Sequence, residues 1–157
     1  MIRSLSSFIF ATGLLVSQPT PASRPVAKQG CVFCQIVAGT APARKVLEND
    51  RVLAFWDIAP RAKYHLLVIP KQHATSMADL ASLPGETKAA LLDACLKVAQ
   101  DCGFNEQGFR VITNAGADAN QTVFHLHFHV VGGEKLPEDA VRVKPKRYSC
   151  CQQPLER

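Results

Sequence analysis

Alternation of apolar and polar positions is sharpest at residues 125–131, where Leu126, Phe128 and Val130 fill the gaps around His125, His127 and His129 and Val131 follows. A strand repeats its side-chain direction every two residues, so the three imidazoles are expected on one face and the apolar set on the other. Shorter strand-like runs stand at 46–48 and 51–56, split by the turn signal Asn49 and Asp50, and again at 65–70 and 108–113. Within 86–102, Leu92, Cys95, Leu96, Ala99 and Cys102 recur at helical spacing, and Gly103 stands where a left-handed C-terminal cap belongs. The stripe predicts an amphipathic helix packed on the sheet. Short strands around one strong helix predict an α+β domain, with a mainly antiparallel five-stranded sheet and one long helix.

The ends of the chain have a different composition. Residues 8–16 are mostly apolar and follow a single Arg3, and Pro19, Pro21 and Pro25 punctuate what comes next. A secretory signal with Thr20, Pro21 and Ala22 as its cleavage site, an organellar transit peptide and a disordered extension all fit this segment. The absence of any acid before Arg44 and Lys45 favours the transit peptide, hence a mitochondrial location, with the cytoplasm as the alternative. No run reaches the roughly 18–20 apolar residues of a membrane span, so no integral span is expected. Residues 1–29 are therefore read as a targeting segment or disordered linker, 30–136 as the folded domain and 137–157 as a polar, basic tail containing Cys150 and Cys151. Those adjacent cysteines beside Lys146 and Arg147 suit lipidation, though disorder explains the tail better.

A length of 157 residues suits one domain, and the net charge of +5 resides at the ends. Residues 1–47 carry five Lys/Arg and no acid, whereas 48–133 carry seven against nine acids and 134–157 six against four. A slightly acidic middle argues against a nucleic-acid face on the core.

The histidine face holds the candidate chemistry. A polar strand face is ordinarily Thr, Lys, Glu or Ser, and three like-titrating rings repel when charged. As ligands to one metal they converge poorly, because His125 and His129 start roughly 13 Å apart on a strand. A reacting His127 flanked by helpers fits better. Asp57 ends an apolar run, as a loop cap or an acceptor for a diol, and His65 opens the next. Among six cysteines, Cys95 and Cys102 fall in the predicted helix as small core residues, favouring a reducing compartment, while Cys31 and Cys34 form half of a metal or redox site.

The run of histidines with apolar spacers resembles the signature of the histidine triad family, and Gly132 with Gly133 is similar to its Hint branch rather than to the dinucleoside polyphosphate hydrolases. The resemblance extends from about Cys31 to Leu136. It implies a HIT-like fold, a homodimer and a small nucleotide substrate resembling AMP. Asp57 matches the ribose-binding aspartate, and Phe33, Ile36, Phe55 and Ile58 match the apolar base pocket. Asn114 and Thr122 match phosphate contacts, with Gln121 beside them in the substrate-binding set, and His65 matches an accessory catalytic histidine. Cys31, Cys34, His73 and His125 match a structural zinc site; catalysis is expected to need no cofactor. Asn120 stands where the family often has Gly, narrowing the approach or taking a left-handed backbone that Asn tolerates.

The implied reaction is cleavage of the P–N bond of purine nucleoside 5'-phosphoramidates. His127 attacks as a neutral imidazole, and His129, Asn114 and Thr122 hold the charge developing on the phosphoryl oxygens. The alternatives are a dinucleoside polyphosphate hydrolase, a catalytically quiet nucleotide-binding or scaffold protein, and a metal-dependent hydrolase with the triad as ligands.

Overall fold

The computed structural model describes residues 28–138. The expected targeting segment before Lys28 and the tail beyond Glu138, with Cys150 and Cys151, lie outside the described residues. Five strands, β1 (Lys45–Glu48), β2 (Val52–Trp56), β3 (Tyr64–Pro70), β4 (Phe109–Ile112) and β5 (Phe128–Gly132), form one antiparallel sheet in the order β1-β2-β3-β5-β4. The turn signal between the first two acts through a side chain: the Arg51 and Val52 N–H groups donate to Asn49 Oδ1 at 2.9 Å each.

Both faces of the central strands are covered. Val52, Ala54, Trp56, Leu66, Val68, Leu126, Phe128 and Val130 pack against the long helix α2 (Gly85–Asp101). On the other face Leu53, Phe55, Leu67 and Ile69 meet Phe33 and Ile36 of the short helix α1 (Val32–Val37). His65, Leu67 and Ile69 alternate with Leu66 and Val68, so the histidine face is the α1 face and α2 packs on its reverse. Leu126 and Val130 are fully buried, each worth about 1.5–3 kcal/mol of hydrophobic stabilisation, and they anchor the triad segment from behind.

Two predicted details differ. The buried stripe of α2 is Leu91, Ala94, Cys95, Val98, Ala99 and, just past its end, Cys102, whereas Leu92 and Leu96 are 63% and 47% exposed. Cys95, Ala99 and Cys102 are buried as predicted, while Leu91, Ala94 and Val98 are buried in place of Leu92 and Leu96. The small Ala94 and Ala99 of the helix face the sheet. Burial pushes the Cys95 thiol up to about 12, as suits an inert core residue.

The triad strand is also shorter than its alternation suggests. It pairs with β3 from Tyr64 opposite Gly132 to Val68 opposite Phe128. Extending that register would set Leu126 against Pro70, which has no N–H to give, so the ladder stops. The Leu126 N–H donates to Ala74 O at 2.6 Å instead. His125 therefore sits in a bend, its N–H donating to Val123 O at 2.9 Å, His127 lies just upstream of β5, and only His129 is on the strand.

Gly132 and Gly133 have a packing reason to be glycine. A Cβ on Gly132 would lie 2.6 Å from a Phe104 ring carbon and one on Gly133 2.1 Å from a Tyr64 ring carbon. Those two rings stack at 4.7 Å, so neither yields readily, and Gly133 has φ +78° besides.

Candidate active site and metal cluster

The three triad imidazoles share one side of the chain but diverge to different partners. Phe33 meets the rings of both His125 and His127 edge-on, with centroids 5.9 and 5.4 Å away, and the His127 and His129 rings lie 4.9 Å apart. They do not converge on one point, which removes the geometry that a metal held by all three would need.

His125 turns into a cluster with Cys31, Cys34 and His73, whose donor atoms all lie within 4.8 Å of one another. Cys31 is the N-cap of α1, with its Sγ accepting from the Cys34 N–H at 3.5 Å, so the two thiols open from one helix end. His125 Nδ1 stands 3.5 Å from each Sγ and 3.2 Å from His73 Nδ1, and Cys34 Sγ lies 3.3 Å from His73 Nδ1. A tetrahedral ion with Zn–S bonds of about 2.3 Å and Zn–N bonds of about 2.0–2.1 Å separates its ligands by roughly 3.3–3.8 Å, so these residues fit zinc. The outer contacts fit too. The His125 Nε2–H donates to Pro70 O at 2.9 Å, leaving the Nδ1 lone pair aimed into the cluster. Burial pushes His125 down to about 4, keeping that lone pair unprotonated at neutral pH.

A second group, Asp57, His65 and His129, looks alike in composition and differs in its hydrogen bonds. The Arg61 N–H donates to His65 Nδ1 at 3.1 Å, which places the proton of neutral His65 on Nε2. That N–H points at His129 Nδ1, 2.9 Å away, with Asp57 Oδ2 at 3.4 Å. A metal there would meet a proton where it needs a lone pair, so this trio is a hydrogen-bond relay. Its outcome is a His129 whose Nε2–H is free to donate. Burial, helped by His65 and His127, pushes His129 down to about 3, and burial likewise lowers His65 against the pull of Asp57.

That depression has a sign. Below the ordinary imidazole value of 6.5 the unfolded chain takes a proton that folded His129 refuses until about 3. The stability is whole above pH 6.5 and is lost as pH falls through that window, by up to about 1.4 kcal/mol per unit for this one group. Urea unfolding across the window should give a shallower pH slope for His129→Asn than for the wild type; equal slopes would refute the depressed ring.

His127 completes the arrangement. Its Nδ1–H donates to His125 O at 2.7 Å, leaving the Nε2 lone pair free, and the Thr113 hydroxyl donates to His127 O at 2.9 Å. The ring lines a cavity of about 390 Å³ together with His65, His129, Asn114, Thr122, Asn120, Arg61, Asp118, Ala119, Ile112 and Val131. Asn120 takes the left-handed backbone, φ 57° and ψ 35°, that its place in the loop demands.

Two sequence-derived site residues are placed elsewhere. Gln121, expected with the substrate contacts, is 4% exposed: its Oε1 accepts from the Gly116 N–H, and its Nε2 donates to Thr75 O and Val123 O. It clamps the loop to residues 74–76. Ile58, expected beside Phe33, Ile36 and Phe55, is 99% exposed, because the Ala59 N–H donates to Asp57 Oδ1 in a tight turn that throws Ile58 outward. The other three are buried together on the α1 face. Arg61, Thr113 and Asp118 gave no sequence signal beyond nearness to His65 or Asn114.

The HIT domain family matches residues 38–136. The adenosine 5'-monophosphoramidase hnt1 of Schizosaccharomyces pombe is 43% identical over 101 residues, 64% of this chain and 72% of that protein. A HIT family hydrolase from Clostridium thermocellum is similar in structure with a TM-score of 0.69 and 39% identity, covering 72% of this chain and 98% of that one. A Zn-bound histidine triad family protein from Mycobacterium smegmatis follows at TM-score 0.58 and 34% identity, covering 74% and 83%.

Proposed function

The chain belongs to the HIT domain family and has the fold of its hydrolases, and from that premise we propose that it hydrolyses purine nucleoside 5'-phosphoramidates to the nucleoside monophosphate and a free amine. One observation carries the reading: His127 spends Nδ1–H on its own chain at His125 O and presents the Nε2 lone pair to the cavity. That is the state a nucleophilic imidazole needs at neutral pH. The similarity to a protein named as a monophosphoramidase supports the choice of bond.

In the proposed reaction Nε2 forms a bond to the α-phosphorus as the P–N bond breaks, and the leaving nitrogen keeps the electron pair and takes a proton from solvent. The nucleotidyl ring is cationic, and its Nδ1–H donor bond to His125 O is then charge-assisted. Water next attacks phosphorus, the N–P pair returns to His127 and the proton returns to solvent. His129, neutral and with Nε2–H outward, donates to the phosphoryl oxygens alongside Asn114 and Thr122. The nucleoside is assigned to the opposite wall, with its ribose at Asp57 and its base toward Phe33 and Phe55. The test is a single-turnover reaction quenched in acid, with nucleotide expected on the protein at the rate of amine release.

A zinc ion in the Cys31, Cys34, His73 and His125 cluster would supply a structural cross-link between α1 and the triad segment. The mitochondrial location is proposed on the composition of residues 1–29 alone. A homodimer is proposed through apolar surface that the single chain leaves open: Val111 on the edge strand β4 and Leu92 and Leu96 on α2. Sedimentation at micromolar concentration should give twice the chain mass; a monomer at every concentration would reject it.

A further inference from the structure

The cavity beside His127 lies toward β4, and none of the residues assigned to the nucleoside, Asp57, Phe33 or Phe55, lines it. Its walls run from the triad to Ile112 and Val131, each on the same side of the sheet as His129. With the nucleoside on the β2 side and the phosphoryl group held by His129, Asn114 and Thr122 over His127, the remainder of this volume is what is left for the leaving amine. Arg61 reaches into it. Its backbone is fixed, because its N–H donates to His65 Nδ1. Among the described residues Arg61 has no ion-pair partner. Its charge is nonetheless felt at the site, helping to hold both His65 and His129 low. The one carboxylate on the cavity wall, Asp118, stands on the loop beside Asn120 and makes no pair with Arg61.

We propose that Arg61 is a specificity residue for the leaving group, selecting phosphoramidates whose amine carries an anionic group, a carboxylate or a phosphate, within reach of its guanidinium. The proposal rests on the phosphoramidase reading and adds the class of amine. A planar guanidinium suits both anions, through two parallel N–H bonds. Because it sits at an exposed rim, the preference is modest, about three- to tenfold.

The test compares four adenosine 5'-phosphoramidates, made from glycine, O-phosphoethanolamine, ethanolamine and ethylenediamine, with wild type, Arg61→Gln and Arg61→Lys. The quantity read is the ratio of kcat/KM for each charged amine to that for ethanolamine, which cancels any general loss of activity. Wild type is expected to favour glycine or phosphoethanolamine, which of the two naming the anion. Arg61→Gln should bring that ratio to about one, and Arg61→Lys should restore part of it. A wild-type ratio unchanged by Arg61→Gln, or a preference for ethylenediamine, which would assign control to Asp118, overturns the proposal. If no conjugate is hydrolysed, the phosphoramidase reading fails separately, and the same ratios taken from calorimetric binding of the four compounds decide the role of Arg61.

Discussion

Replacing His127 by alanine should abolish turnover of an adenosine 5'-phosphoramidate, lowering kcat/KM by about 10⁴-fold or more, as loss of a covalent nucleophile does elsewhere. The ring is 4% exposed, and its role depends on the free Nε2 that the His125 carbonyl bond enforces. Nothing nearby can replace it. His129 offers a donor rather than a lone pair, since its Nδ1 is taken by His65. His125 faces the cysteines. Acid-quenched protein should carry nucleotide in the wild type and none in His127→Ala, while AMP still binds both by calorimetry. A variant that keeps turnover within tenfold would remove His127 from the chemistry and reopen the reading of a quiet nucleotide-binding protein.

The second large effect is on stability. Cys34→Ser should lose stoichiometric zinc and destabilise the fold by several kcal/mol, because binding energy at a structural zinc site is folding energy. Cys34 is buried beside both cluster imidazoles, and the cluster ties α1 to residues 73 and 125 across the sheet face. Thermal melts with and without chelator separate the causes. Chelated wild type should fall to the melting temperature of Cys34→Ser, and the variant should not respond to chelator. A chelator-insensitive wild type would show that these four residues act as a packed core with no ion.

The antiparallel sheet, the long helix and the sidedness of the triad were all legible, since each rests on a period that burial enforces. Leu126, Phe128 and Val130 are core on the α2 side, and the histidines face α1. The helix stripe holds at Cys95, Ala99 and Cys102 and shifts at Leu92 and Leu96 for a physical reason. Leu91 and Leu92 are adjacent, and Leu96 and Val98 straddle Lys97, so two apolar stripes overlap at helical spacing and only the sheet chooses between them. Ala94 and Val98 are on the side chosen, buried in the same core cluster as the sheet residues. Cys31, Cys34, His73 and His125 were gathered by resemblance; spacing alone supplied only half of that set. Gln121 and Ile58 illustrate the converse. A position can be matched by spacing, yet whether a side chain faces a ligand or the protein depends on the turn beneath it. Arg61 was invisible because a cation in a loop is ordinary until a cavity and an absent partner give it meaning.

Pro70 stops the pairing of β3 with β5, and its carbonyl holds His125, whose own carbonyl in turn holds His127. One residue thus serves two masters: the ring of His125 belongs to the Cys/His cluster and its main chain to the proposed nucleophile. The two centres are thereby coupled through a single residue. Loss of the cluster side chains would leave one demand standing, because the backbone at position 125 must stay where the His127 Nδ1–H finds its carbonyl.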